Sequence, residues 1–296
     1  MSGEKQKHKK HFKKGVSRGR HFSQAKQHHN LWKIAIYLLA AIAISSAVVA
    51  ISFDFFRSSE PEVSKAAIVD QGSLSPAAGP NPVFIETATN ILEEAGYTVD
   101  YYPGEEVTVE FYKNLPTHGY RLIILRVHSS ATELQGKEFV ESPVALFTSE
   151  PYSQKKYVYE QLTSQLVVAH YPMPESSYYF AILPEFVTAN TEGRFQNTII
   201  VMMGCEGLTN TKMAEAFIEK GAKAYISWSQ SVSANHTDQA TIYLLTHLLT
   251  EKQTIEQAVE NTMKEVGPDP VYDGLLIYYP ISSGNYTAAI EKPDLE

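Results

Sequence analysis

The sequence predicts an α/β fold, with a mostly parallel sheet covered by helices on both faces, three layers in all, preceded by one transmembrane helix. Three observations predict it. From about residue 65 onward, short apolar runs alternate with amphipathic stretches, the pattern of strands buried on both faces and the helices that cross between them. Twenty consecutive uncharged residues, 34–53, precede that region. Charge is also divided along the chain. Residues 1–33 hold ten Lys or Arg and one acid, Glu4, a net +9; with a total of −8, the rest carries −17. Whole-chain acidity therefore describes neither part.

Residues 1–33 read as a basic cytoplasmic tail, too poor in apolar residues to offset chain entropy and so disordered. Its charge is a topology signal, or additionally a contact to anionic head groups or RNA. A nucleic-acid partner is not expected for the protein as a whole. The five tail histidines, His8, His11, His21, His28 and His29, are too irregularly spaced to define a metal site. The run 34–53, IAIYLLAAIAISSAVVAISF, is about 30 Å long as a helix, the thickness of a hydrocarbon core. Ser45 and Ser46 can bond back to helix carbonyls without breaking it. Trp32 and Tyr37 at one end, and Phe53, Phe55 and Phe56 at the other, suit the membrane interfaces. No A-x-A cleavage site follows, so the segment reads as an uncleaved signal anchor. Positive charge on its N-terminal side keeps that end cytoplasmic and places everything after about residue 57 outside. A linker, 54–64, follows.

The expected ectodomain, 65–296, begins with a strand at Ala66–Asp70. A helix over Pro82–Ala95 has proline near its start and is stopped by Gly96. Strands follow at Tyr97–Tyr102 and Arg121–Val127. Weaker strands at Val144–Thr148 and Tyr179–Leu183 flank an amphipathic helix near 153–169. Thr198–Met203 is a fully apolar strand, Thr211–Lys220 a helix stopped by Gly221, and Lys223–Trp228 a strand. Helices at 238–250 and 254–265 precede a last strand at Leu275–Tyr279.

In such sheets, ligands gather at the carboxyl ends of the strands. Asp70 ends the first strand. His128 follows the third in RLIILRVHSSA. Cys205, the only cysteine, follows an apolar strand in TIIVMMGCEGL. One cysteine excludes an internal disulfide framework and multi-cysteine metal centres. No phosphate-binding glycine loop, dinucleotide fingerprint, H-E-x-x-H or G-x-S-x-G elbow occurs. A thiol and an imidazole at neighbouring strand ends form the layout of a nucleophile and its acid–base partner. The same residues also fit a buried small hydrophobe and a structural histidine.

Those two strand ends, with the downstream stretch GCEGLTNTKMAEAFIEKGAKAYISW, resemble the caspase-like cysteine peptidases, closest in pattern to gingipain and CHAT-type members. The resemblance covers roughly residues 65–280 and is specific at 121–131 and 198–262. It implies a caspase–haemoglobinase fold and a Cys–His dyad. Cys205 is then the nucleophile and His128 the proton donor to the leaving amine. The backbone amides of Cys205 and Ser129 form the oxyanion hole, with Ser129 standing where the family usually has glycine. The resemblance also places Asp70 in the pocket for the side chain before the cleaved bond. Asp238 is a second candidate, and a carboxylate there favours Lys or Arg. Trp228 is a pocket wall or a core aromatic. Glu206 reads as a solvated helix-start carboxylate. His118 and His170 read as surface residues, His247 as helix packing. Asn235 and Asn285 lie in sequons and would face outside, as glycosylation candidates.

The expected function is therefore a membrane-anchored cysteine endopeptidase that acts through an acyl-enzyme, needs no cofactor or metal, and takes a peptide or protein substrate. Its expected lipid contacts are the anchor and the tail. The alternative is a non-catalytic caspase-fold surface module that binds a protein or peptide. A transferase or sugar-binding ectodomain is a third reading.

Overall fold

The computed structural model describes residues 64–131, 142–171 and 177–290, together with Lys33, 38–42 and Ser45. Most of the expected tail, anchor and linker lies outside the described residues. Residues 38–42 and Ser45 are helical, and Ser45 Oγ donates to the Ile42 carbonyl at 2.9 Å. Among the described residues, no helix is long and apolar enough to cross a membrane. All elements below belong to one unit, Val63–Glu296.

The main sheet has six strands: β1 (Lys65–Asp70), β2 (Thr98–Pro103), β3 (Tyr120–Leu125), β8 (Ile199–Met202), β9 (Ala224–Trp228) and β10 (Leu276–Tyr279). Their spatial order is β10-β9-β8-β3-β1-β2, parallel except for β10, which pairs antiparallel with β9. Successive side chains point to opposite faces of a strand, and both faces here are apolar. On one, Ile68, Leu122, Val201 and Ile226 pack with helices α1 (Pro82–Glu94), α6 (Ala234–Leu245) and α7 (Ile255–Val266). On the other, Val69, Ile123, Met202 and Tyr225 pack with α2 (Val109–Asn114), α4 (Pro184–Asn190) and α5 (Lys212–Glu219). This is the α/β fold with a mostly parallel, doubly covered sheet.

The insertion between β3 and β8 departs from the expectation. Strands β4 (Ser129–Ala131), β5 (Val144–Pro151), β6 (Leu166–His170) and β7 (Tyr178–Ile182) form a separate antiparallel sheet, ordered β4-β5-β7-β6. The helix expected near 153–169 is one short helix, α3 (Val158–Leu162), followed by β6. Ser164, at φ 57°, turns the chain out of the helix. Val167 and Val168 then favour an extended backbone, since branching at Cβ crowds a helical turn. The helix expected over 238–250 begins at Ala234 and finishes in a π-helical turn, Thr246–Thr250.

Two features of the sheet position the site. The chain leaves β1 toward β2 and returns to β3 on the other side of β1, so the order reverses between β1 and β3. Open sheets form their ligand crevice at such a switch point, beyond the carboxyl ends of the strands. Beside it, β3 runs directly into β4, which carries the chain from the main sheet to the second.

Candidate active site

A cleft of about 710 Å³ opens at these strand ends. His128, just beyond β3, and Cys205, just beyond β8 and Gly204, both line it, with Ser129, Phe147, Tyr171 and Val232. The structure thus brings His128, Ser129 and Cys205 to one cavity.

The turn that carries the thiol depends on two close approaches. A Cβ on Gly204 would collide with Ser129 Oγ and the Val127 carbonyl, and one on Gly207 with Ser227 Oγ. Only glycine lets β8 exit this near β3 and β9. Glu206, between the thiol and Gly207, adopts φ 61°, a conformation that costs a non-glycine residue about 1 kcal/mol or more. Its bonds hold it there. Its N–H donates to the Gln230 carbonyl at 2.9 Å, and its carboxylate accepts the Ala131 N–H at 2.7 Å and the Ser231 hydroxyl at 3.3 Å. Glu206 is therefore a clasp between β4 and the 230–231 loop, not a solvated carboxylate at a helix start.

The imidazole is held by its backbone and its neighbours. Gln71 accepts the His128 N–H at 2.9 Å and donates to the Tyr171 hydroxyl at 2.7 Å. The ring lies edge-on to Phe147, centroids 4.6 Å apart, and 5.2 Å from Tyr171. Burial holds its pKa below the ordinary value, and the Glu206 carboxylate pulls the other way. Across the cleft, the Val232 N–H donates to Cys205 Sγ, and the thiol donates to the Val232 carbonyl, each at 3.5 Å. Burial pushes the thiol pKa up, opposed by the Val232 contact and reinforced by Glu206. At neutral pH these directions favour a neutral imidazole and a protonated thiol in the one cleft.

Ser129 opens β4 beside the thiol-bearing turn. The Phe147 N–H donates to the His128 carbonyl at 2.9 Å, which extends the β4–β5 ladder by one bond, since the His128 N–H goes to Gln71. Antiparallel alternation then turns the Ser129 N–H away from β5. Ala131, two residues on, sends its N–H the same way, to Glu206. Ser129 Oγ donates to the Cys205 carbonyl at 2.6 Å, which ties the start of β4 to the thiol's own backbone.

The expected pocket acids have a partner that the sequence reading missed. Arg126 is buried between them. Its Nη1 meets Asp70 Oδ1 at 2.7 Å, and its Nε and Nη2 meet Asp238 Oδ1 and Oδ2 at 2.8 and 3.0 Å. Asp70 is 1% exposed, caps the following turn by accepting the Ser73 N–H, and accepts the Tyr101 hydroxyl; it stands behind the cleft wall. Burial pushes its carboxyl up against the pull of Arg126. Asp238 and Arg126 do line the cleft. Asn81, whose Oδ1 caps α1, donates its Nδ2 to Asp238 at 2.8 Å. Trp228 is a core aromatic: it is 1% exposed, and its Nε1 donates to Thr237 Oγ1 at 2.9 Å.

His170 is exposed on β6 and lines the cleft, while His118 stacks on Tyr120 and the buried His247 pairs with Glu251 at 2.9 Å. Asn235 and Asn285 are both exposed. Thr237 of the first sequon is buried and bonded to the Met203 carbonyl, whereas Thr287 of the second is exposed. Compared with models of known families and with curated proteins, the chain matches neither a family nor a relative.

Proposed function

We propose that the protein is a cysteine endopeptidase with a caspase-like α/β/α sandwich, anchored in a membrane by residues 34–53 with its C-terminal domain outside the cytoplasm. The observation that carries this reading is that His128 and Cys205, from the carboxyl ends of two paired parallel strands, line one cleft at the sheet's switch point. The Cys205 thiol passes its proton to His128 and attacks a peptide carbonyl. The Ser129 N–H stabilises the oxyanion. His128 returns the proton to the leaving amine, and water releases the acyl group.

The Asp70–Arg126–Asp238 group holds one negative charge in excess when all three are ionised. Asp238 is the acid of this group that lines the cleft, which supports a basic substrate side chain over an acidic one. The test is labelling of the full chain with peptidyl thiol-reactive probes that carry Arg, Ala or Asp before the reactive group. The Arg probe should label Cys205 fastest and the Asp probe slowest. A protein that takes none of them would instead fit the non-catalytic binding module, a reading favoured by the burial that keeps the thiol protonated.

The same dyad sets a pH profile. Its active form holds one shared proton, so rate falls below the pKa of His128 and above that of Cys205. Burial lowers the first and raises the second, so the active range should extend beyond that of the free side chains at both ends. Glu206→Gln can keep its bonds to Ala131 and Ser231 while it loses the charge. Both pKa values then fall, and both limbs of kcat/KM against pH should move toward acid. Limbs that stay in place would remove Glu206 from the electrostatics of the dyad.

A further inference from the structure

Asp269 lies in the turn between α7 and β10, flanked by Pro268 and Pro270, and is fully buried. Its carboxylate accepts three backbone N–H groups. Oδ1 takes those of Val271 and Tyr272, each at 2.9 Å, and Oδ2 takes that of Ser233 at 2.8 Å. Among the described residues it forms no ion pair. The Oδ1 bonds close a local turn, as aspartate commonly does. The Oδ2 bond reaches a different loop, 36 residues away in sequence, at the residue next to Val232. Val232 is the residue whose N–H and C=O both contact Cys205 Sγ.

Bonds farther along hold the same two loops. The Ser229 N–H donates to the Leu275 carbonyl at 2.9 Å, and the Leu275 N–H to Ser229 Oγ at 3.0 Å. Those bonds fix the base of the 229–233 loop, while Asp269 fixes its tip beside the thiol. An anion buried without a cation is costly unless strong donors satisfy it, and the donors here all lie in the two segments that border the thiol and the cleft rim. We infer that Asp269 is a positioning residue: by holding Ser233 it keeps the Val232 backbone against the Cys205 thiol. This inference rests on Cys205 as the reactive thiol of the proposed peptidase.

The test uses the full chain and its single cysteine. The rate of Cys205 alkylation by iodoacetamide is followed against pH, and the midpoint gives the apparent thiol pKa. Asp269→Asn can keep its oxygen on Val271 and Tyr272, but it then faces Ser233 with an NH2 group, donor against donor. Ser233→Pro deletes the same bond from the other side; Ser233 has φ −71° and ψ 141°, which proline adopts. Ser233→Ala retains the N–H, and Asp273→Asn removes a charge from an exposed position in the same turn.

Two influences on the thiol oppose each other. Burial, the largest cause, and the charges of Glu206 and Asp269 raise its pKa, while the Val232 N–H and the Ser231 hydroxyl lower it. Loss of positioning therefore moves the midpoint up by about half a unit or more in Ser233→Pro, which keeps the Asp269 charge. Asp269→Asn also loses that charge, which lowers the thiol pKa, so its midpoint lies below that of Ser233→Pro. The two control variants stay at the wild-type midpoint. A midpoint that stays fixed or falls in Ser233→Pro overturns the inference. Because alkylation needs no peptide cleavage, a protein that shows these shifts but hydrolyses no peptide defeats the peptidase reading and leaves the positioning role standing.

Discussion

Cys205→Ala is expected to reduce peptide hydrolysis by about four to six orders of magnitude, the size of loss when a covalent nucleophile is removed from a preorganised site. The argument is that no other side chain lining the cleft can replace it. The Ser231 hydroxyl, which contacts the thiol, is held on the Glu206 carboxylate at 3.3 Å, and the Ser129 hydroxyl donates to the Cys205 carbonyl at 2.6 Å and has Gly204 packed against it. The fold should tolerate the change. The thiol is only partly buried, and its two contacts to Val232 are long, at 3.5 Å. Stability should change by no more than about 1 kcal/mol. Hydrolysis and denaturant unfolding, measured on the same preparation, check both halves. Unchanged turnover would end the assignment of Cys205. Lost turnover accompanied by unfolding would show that the cysteine is a packing residue.

His128→Ala separates attack from leaving-group departure. Without the imidazole, the amine must leave unprotonated, at a cost of about 10²–10⁴ in rate. Alkylation of Cys205 by a small reagent requires no leaving amine and should be less affected. A larger fall in alkylation than in hydrolysis would place His128 in thiol activation alone.

Much of this arrangement is legible in the sequence because it follows from strands. RLIILRV and TIIVMM are too short and too apolar to be surface helices, and the strand-end rule then selects His128 and Cys205. The small antiparallel sheet is less legible. LVVAH carries no alternation that distinguishes it from a helix, and the break before it lies in one backbone dihedral, that of Ser164. Glu206 and Asp269 read as ordinary loop acids because their partners lie on other segments: Ala131 and Ser231 for one, Ser233 for the other. Arg126 does leave a signal. A lone guanidinium inside an otherwise apolar strand end cannot stay uncompensated, and Asp70 and Asp238 are the acids in view. Reasoning from the buried cation leads to the paired acids; reasoning from the acids alone leads to a substrate.

Arg126→Met is accordingly expected to cause the largest loss of stability, about 3–5 kcal/mol at neutral pH, since it strands carboxylates that a buried pair had satisfied. Arg126 donates to Asp70, to both oxygens of Asp238 and to the Gly79 carbonyl at 3.1 Å, and it lies over the Phe84 ring, 5.7 Å from its centroid. Methionine supplies similar bulk but none of the donors. Asp70 then loses the pull of Arg126, and burial raises its carboxyl pKa further above the unfolded value. A raised folded pKa favours the folded state below it and disfavours it above, so the deficit should shrink as pH falls. Replacing all three residues, Arg126→Met with Asp70→Asn and Asp238→Asn, removes the uncompensated charge and should recover most of the lost stability. The amide oxygens introduced by the two Asp→Asn changes can still accept the bonds that Ser73 and Asn81 donate. Denaturant unfolding, measured at several pH values for the single and triple variants, decides the matter. A single-variant loss under about 1 kcal/mol, or a triple variant no more stable than the single one, would show that charge compensation is not what holds this end of the sheet together.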